Sequence, residues 1–235
     1  MQTLTMTSLG EGYRALVIGS NGAIAQAFAA RLRADPRCGS VRVIGRGSSP
    51  ALDLEQPDSI AEAARALASG APFQLVLLAT GVLHRPGLRP EKSLSALDAE
   101  KLQTLFQVNT IGPALVLRHF LPLLAADGAM AVLSAKVGSI GDNQLGGWYG
   151  YRASKAALNM LVRTAAIELA RSKPQARLFS LHPGTVISPL SQPFRAGMAA
   201  REPAEAAGDL LALIDRLRPS DSGGFFAWNG ERLPW

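Results

Sequence analysis

"LVIGSNGAIAQAFAARL", residues 16–32, is the stretch on which the fold turns. Its first residues are apolar at successive positions, as in a strand buried on both faces. Four small residues follow, Gly19-Ser20-Asn21-Gly22, and then apolar residues recur at helical spacing from Ala23 and Ile24 onward. Gly19 allows the chain to turn sharply and Gly22 allows its backbone to approach a phosphate. The unpaired N–H groups of the helix N-terminus would face that anion. A strand-to-helix turn without a ligand has the same appearance, so the rest of the chain must decide.

Further apolar runs stand at "RALVIGS" (14–20), "VRVIGR" (41–46), a short "ALDL" (51–54), "QLVLLAT" (74–80), "AMAVLSA" (129–135), "ARLFSLHPG" (176–184) and "GFFAW" (224–228). Helical patterns begin between them, near Ala23, Asp58, Ser93, Thr110, Tyr151 and Pro203. This alternation predicts an α/β fold, with one doubly wound Rossmann-type domain over 1–235 and a mainly parallel sheet of about seven strands. The segment 187–203 holds three prolines and a glycine, and reads equally as a lid or as a surface connection.

The composition narrows the function. In 235 residues, 48% hydrophobic and 18% charged, long disorder is not expected. Cys38 is the one cysteine, which excludes an internal disulfide and fits a reducing cytoplasm. The opening "MQTLTMTSLGEGYR" lacks the pattern of an export signal and no apolar run has membrane-spanning length, so no membrane association is expected. His84, His119 and His182 lack metal-ligand spacing, and no metal is expected. The net charge is +6, with Arg31, Arg33, Arg37, Arg42 and Arg46 close together. Without long basic runs or interleaved aromatics this cluster is not expected to bind nucleic acid. At the end of the second strand an acid would bind a ribose 2′-hydroxyl, whereas arginine accommodates a 2′-phosphate. The strand ends in Gly45 and Arg46 with no acid before Asp53, which favours NADP over NAD.

In "YGYRASK" (149–155), Tyr151 stands four residues before Lys155, so on a helix the two share a face. A free tyrosine titrates near pH 10, and moving it to about 7 takes roughly 4 kcal/mol. An ammonium about 4 Å away contributes on that order at intermediate dielectric. An exposed helix start is the plainer alternative. Asn109, in "FQVNTIGPALVL", suits a local turn as well as a site, and the Pro183-Gly184 turn of "HPGTVIS" is open to the same two readings.

Taken in order and approximate spacing, the glycine turn, Asp53, "LATG" (78–81), Asn109, "YRASK" and "HPGTVIS" resemble the short-chain dehydrogenase/reductase family. "GSIGDNQLGGWYGYRASKAALN" and the ending "FFAWNGERLPW" are similar to its branch of C-factor-like proteins and sniffer-type carbonyl reductases. The resemblance implies reduction of a small, fairly apolar carbonyl compound, or oxidation of the alcohol, with NADP(H). Tyr151 would be the acid/base, Lys155 would lower its pKa and bind the nicotinamide ribose, and Asn109 would hold a relay water. Cofactor contacts would come from Gly19, Ser20, Asn21, Gly22, Ala23 and Ile24, and from Arg46, Asp53 and Leu54. Ala79, Thr80 and Gly81 would add to them, as would Asn109, Tyr151, Lys155, Pro183, Gly184, Val186 and Ser188. A homodimer or homotetramer through the helices around Thr110 and Tyr151 is implied as well. A cofactor-binding signalling or regulatory protein on the same scaffold is the alternative function.

The chain departs from the family at several places. The Gly-x-x-x-Gly-x-Gly turn has Ala23 and Ala25 at its later glycine positions, Leu78-Ala79-Thr80-Gly81 replaces Asn-Asn-Ala-Gly, and Ser188 replaces a threonine. The substrate-holding serine of Ser-Ser-x-x-Gly reads Ala135 in Ser134-Ala135-Lys136-Val137-Gly138-Ser139. Strand alternation turns Ser134 away from the face of Ala135, so Ser139, on the following loop, is the expected substitute and Ser134 the lesser candidate, against a site that has lost this donor and relies on Tyr151 alone. Leu83, His84, Asn143, Trp148 and Phe194 are candidate pocket walls, although core packing would explain them too.

Overall fold

A computed structural model of the chain describes residues 5–195, 197 and 199–235. Strands and helices alternate: β1 (Tyr13–Ile18), α1 (Ala23–Arg33), β2 (Cys38–Ile44), α2 (Pro57–Leu67), β3 (Phe73–Leu78), α3 (Ala99–Phe106), α4 (Gly112–Phe120), β4 (Leu124–Leu133), α5 (Tyr149–Ser172), β5 (Arg177–His182), α6 (Pro203–Arg216) and β6 (Phe225–Ala227). The strands form one sheet in the order β2-β1-β3-β4-β5-β6, and every neighbouring pair is parallel.

The expected α/β doubly wound sheet is present with six strands, where about seven were anticipated. "ALDL" supplies a single parallel bridge, Ala51 to Gly45, and no strand. Residues 46–50 are too short a connection, because a parallel pair needs a crossover of a dozen or more residues.

Successive strand residues feed two cores, which explains why the runs are apolar without alternation. Ile18, Leu78, Val132 and Leu178 pack with Ile60 of α2, Phe120 of α4 and Leu158 of α5. Val17, Leu77, Leu133 and Leu181 pack on the other face with Phe28 of α1 and Leu210 of α6. Fully burying one such side chain contributes roughly 1.5–3 kcal/mol, so the two helical layers hold the sheet ends in fixed positions.

The chain leaves β1 to reach β2 on one side and β3 on the other. That reversal opens a crevice at the carboxyl ends of these strands, where open α/β sheets bind ligands. Between α3 and α4 the backbone widens into a π-helical turn, Gln107–Ile111, so the helix sought near Thr110 starts at Gly112. The helix sought near Ser93 is a short 3₁₀ turn, Leu94–Ala96, followed by α3, whose Lys101 N–H is capped by Asp98 at 3.0 Å.

Candidate active site

A cavity of about 700 Å³ occupies that crevice. One half is built mainly from backbone. Gly19 has φ 129°, and a Cβ there would lie 2.6 Å from the Ala79 carbonyl oxygen. A Cβ on Gly45 would lie 2.4 Å from Ser20 Oγ. The turn through Ser20 and Asn21 therefore closes against β2 and β3 only with glycine at these two points. Gly22 caps α1 without a side-chain hydrogen bond, and no acid stands in the first turn. The N-terminal residues Ala23 and Ile24 line the cavity, so this end of the helix can accept an anion. Ala25 is fully buried in the core below, so the methyl at the third glycine position packs inward.

Arg46 is exposed on the rim at the end of β2. Asp53 and Leu54 line the same half, with Asp53 Oδ1 accepting the Glu55 N–H at 3.0 Å. Ala79, Thr80 and Gly81 line the cavity after β3, and the buried Thr80 Oγ1 has no protein partner. Pro183, Gly184, Val186 and Ser188 line it after β5, with Ser188 Oγ donating to the Val186 carbonyl at 3.3 Å. The glycine cradle, the open helix end, the orphaned threonine hydroxyl and the rim arginine together fit a phosphorylated dinucleotide.

Tyr151 and Lys155 stand one turn apart on α5, 7% and 3% exposed, and both line the cavity. Lys155 Nζ donates to the Leu133 carbonyl at 3.1 Å. A Cβ on Gly81 would stand 3.3 Å from both Lys155 Nζ and Asn109 Oδ1, so the three residues converge. Asn109 is fully buried in the π turn and does not line the cavity. Its Oδ1 accepts the Val82 N–H at 2.8 Å; its Nδ2 donates to the Val82 carbonyl at 2.8 Å and to Ser154 Oγ at 3.2 Å. Its side chain ties the end of β3 to α5 from behind the wall, in place of the cofactor contact expected of it.

Burial works against the lowering of the Tyr151 pKa expected from Lys155. Burial raises the phenol above its ordinary value, and burial brings the Lys155 ammonium down to about 8. Desolvation disfavours both charged forms, and Lys155 Nζ directs one N–H at the Leu133 carbonyl. Tyr151 is thereby held protonated.

The serines exchange places relative to the sequence reading. Ser139 is buried outside the cavity lining, its Oγ accepting the Asp142 N–H at 3.1 Å. Gly138 before it is pressed against α5, where a Cβ would lie 2.7 Å from Lys155 Cβ, so the loop has no room to bend back. Ser134 lines the cavity with Ala135, and its buried Oγ has no protein partner.

Leu83, His84, Trp148 and Phe194 line the other half of the cavity. Asn143 does not: it is exposed, with Oδ1 accepting the Gly146 N–H at 3.1 Å. The rings meet edge to face, His84 with Phe194 at 5.4 Å, Phe194 with Trp148 at 5.2 Å and Trp148 with Tyr151 at 6.2 Å. His84 Nε2–H donates to the Pro189 carbonyl at 3.1 Å, which fixes the tautomer. Of the segment 187–203, residues 196 and 198 lie outside the described residues; Pro189 and Leu190 join Phe194 in the wall.

Sequence reasoning missed His182, which also lines the cavity. Burial, then the nearby Lys136 charge, lower its pKa to about 4, so the imidazole is neutral. Its place immediately before Pro183-Gly184 was the available signal. Among the described residues no helix is long and apolar enough to cross a membrane, and no His, Cys, Asp and Glu side chains group as a metal site.

Residues 36–217 match a family profile described as "Enoyl-(Acyl carrier protein) reductase". The chain is 33% identical over 187 residues to 1-hydroxy-2-glutathionyl-2-methyl-3-butene dehydrogenase of Rhodococcus sp., covering 79% of each chain. It is 36% identical over 148 residues to C-signal of Myxococcus xanthus, covering 61% of this chain and 84% of that one. Its fold is similar to that of the NADPH-bound carbonyl reductase from chicken fatty liver, with TM-score 0.80, 24% identity, and coverage of 97% of this chain and 100% of that one.

Proposed function

The chain belongs to the short-chain dehydrogenase/reductase family, and on that premise we propose that it reduces a carbonyl compound to an alcohol with NADPH. The observation that carries this reading is a buried Tyr151 one helical turn from Lys155, both facing a cavity whose other half fits a phosphorylated dinucleotide. The likeness to an NADPH-bound carbonyl reductase supports the same choice of cofactor and reaction class.

The turn from Gly19 to Gly22 and the first N–H groups of α1 would hold the pyrophosphate, Arg46 the 2′-phosphate, and Lys155 the ribose beside the nicotinamide. When bound, NADPH supplies the hydride. Tyr151 donates its phenolic proton to the carbonyl oxygen; burial keeps that proton on the phenol until the hydride arrives. The Lys155 ammonium on the same helix face stabilises the phenolate left behind. Ser134 Oγ, orphaned in the wall, is the second hydrogen-bond donor to the oxygen, in place of a serine at 135. Trp148, Phe194, His84 and Leu83 exclude water and favour an apolar or aromatic substituent.

Calorimetric titration with NADPH, followed by NADPH absorbance in the presence of ketones, aldehydes and quinones, tests the reading. Binding with turnover of at least one carbonyl class is expected. Binding without any turnover would favour a regulatory cofactor-binding role, the reading to which the C-signal likeness and Ala135 point.

A further inference from the structure

Trp148 is the one described non-glycine residue with positive φ, 52°, and Gly146 and Gly147 before it have φ 63° and 64°. Three successive left-handed residues, the last carrying a Cβ and an indole, form a conformation that the surroundings must impose. Glu91, from the connection between β3 and α3, grips this turn at two points. Its carbonyl accepts the Trp148 N–H at 2.6 Å, and its carboxylate Oε2 accepts the Gly150 N–H, in the first turn of α5, at 3.2 Å. From the other side Arg152 donates to the carbonyls of Gly146 at 3.0 Å, Gly147 at 2.9 Å and Val137 at 3.2 Å.

Glu91 is 3% exposed, and its Oε1 is buried with no protein partner. Burying a carboxylate is costly, and a helix N-terminus offsets part of that cost. Gly150 leaves the room: a Cβ there would come 2.8 Å from Glu91 Oε1 and 2.7 Å from Leu105 Cδ1. The result of the grip is the placement of the Trp148 ring, edge to face with both Tyr151 and Phe194.

We propose that Glu91 is a positioning residue that sets substrate specificity, by holding Trp148 as the wall against which an aromatic carbonyl compound packs beside Tyr151. Aromatic groups prefer the edge-to-face and offset arrangements that such a wall offers. The proposal rests on the reductase reading and deepens it.

Acetophenone and propanal serve as the probes, with kcat and KM measured for wild type, Glu91→Ala, Glu91→Gln, Trp148→Ala and the double variant Glu91→Ala/Trp148→Ala. Glu91→Ala is expected to raise KM for acetophenone about 10-fold more than for propanal, the effect of losing part of an apolar pocket. Glu91→Gln keeps an oxygen acceptor for Gly150 and restores most of the preference. Trp148→Ala reproduces the loss, and the double variant loses no more than either single one, because both act on one wall. Equal losses for both probes, or an unchanged preference in Glu91→Ala, would overturn the proposal. If wild type reduces neither probe, hydrogen exchange at the Trp148 and Gly150 amides decides. Faster exchange in Glu91→Ala then upholds the grip, leaving the reductase reading to the wider carbonyl panel, and unchanged exchange rejects the grip.

Discussion

The two halves of the cavity are made in different ways. The half proposed for the cofactor is shaped by backbone, with Gly19 and Gly45 where a Cβ would collide, an uncapped helix end, and strand ends set by the sheet order. The substrate half is shaped by side chains that reach across the chain. Glu91 bonds Gly150 from 59 residues away, and His84 bonds the Pro189 carbonyl from 105 residues away. A backbone-built site tolerates side-chain change and accepts a common ligand, whereas a side-chain-built site can be retuned residue by residue.

If this division is right, substitutions should separate along it. Tyr151→Phe removes the transferable proton and is expected to lower kcat by about 10²–10⁴-fold, with NADPH affinity by calorimetry nearly unchanged. A comparable loss of NADPH affinity would merge the two halves. Ser134→Ala should lower kcat by about 10²–10³-fold if its hydroxyl holds the substrate oxygen. Ser139→Ala, whose hydroxyl serves a turn, should leave turnover near wild type; the opposite ranking would reinstate the serine favoured by sequence alone.

On the cofactor side, Arg46→Ala should erase a preference for NADPH over NADH of about 10- to 100-fold, the worth of charge-assisted hydrogen bonds to a phosphate. Equal dissociation constants in the wild type would remove Arg46 from the site. The smallest effect is on pH dependence. Lys155 carries its proton below about pH 8, so kcat/KM should fall about tenfold per unit as pH rises past that value. An unshifted lysine would place the descending limb near 10.4.

The parallel sheet and the glycine turn were legible because they rest on local signals, apolar runs and small residues, whereas the order of the strands came only with the structure. The missing strand at "ALDL" was also foreseeable in principle, since residues 46–50 cannot make a crossover. The positions of Ser134 and Ser139 relative to the cavity were not legible, because alternation ceases to hold where β4 ends at Leu133 and Gly138 wedges under α5. Asn109 was found by its motif, but its position behind the wall depends on a π turn that no periodicity announces. Glu91 is an ordinary surface-type residue in sequence, and only the fold buries it.

The most direct test follows deuterium from NADPH labelled at the transferable position of nicotinamide C4, using the ketone that wild type reduces fastest. The account predicts one deuterium on the carbinol carbon of the product alcohol by mass spectrometry. An alcohol without deuterium in incubations with either C4-labelled epimer, or no alcohol from any ketone, would contradict it.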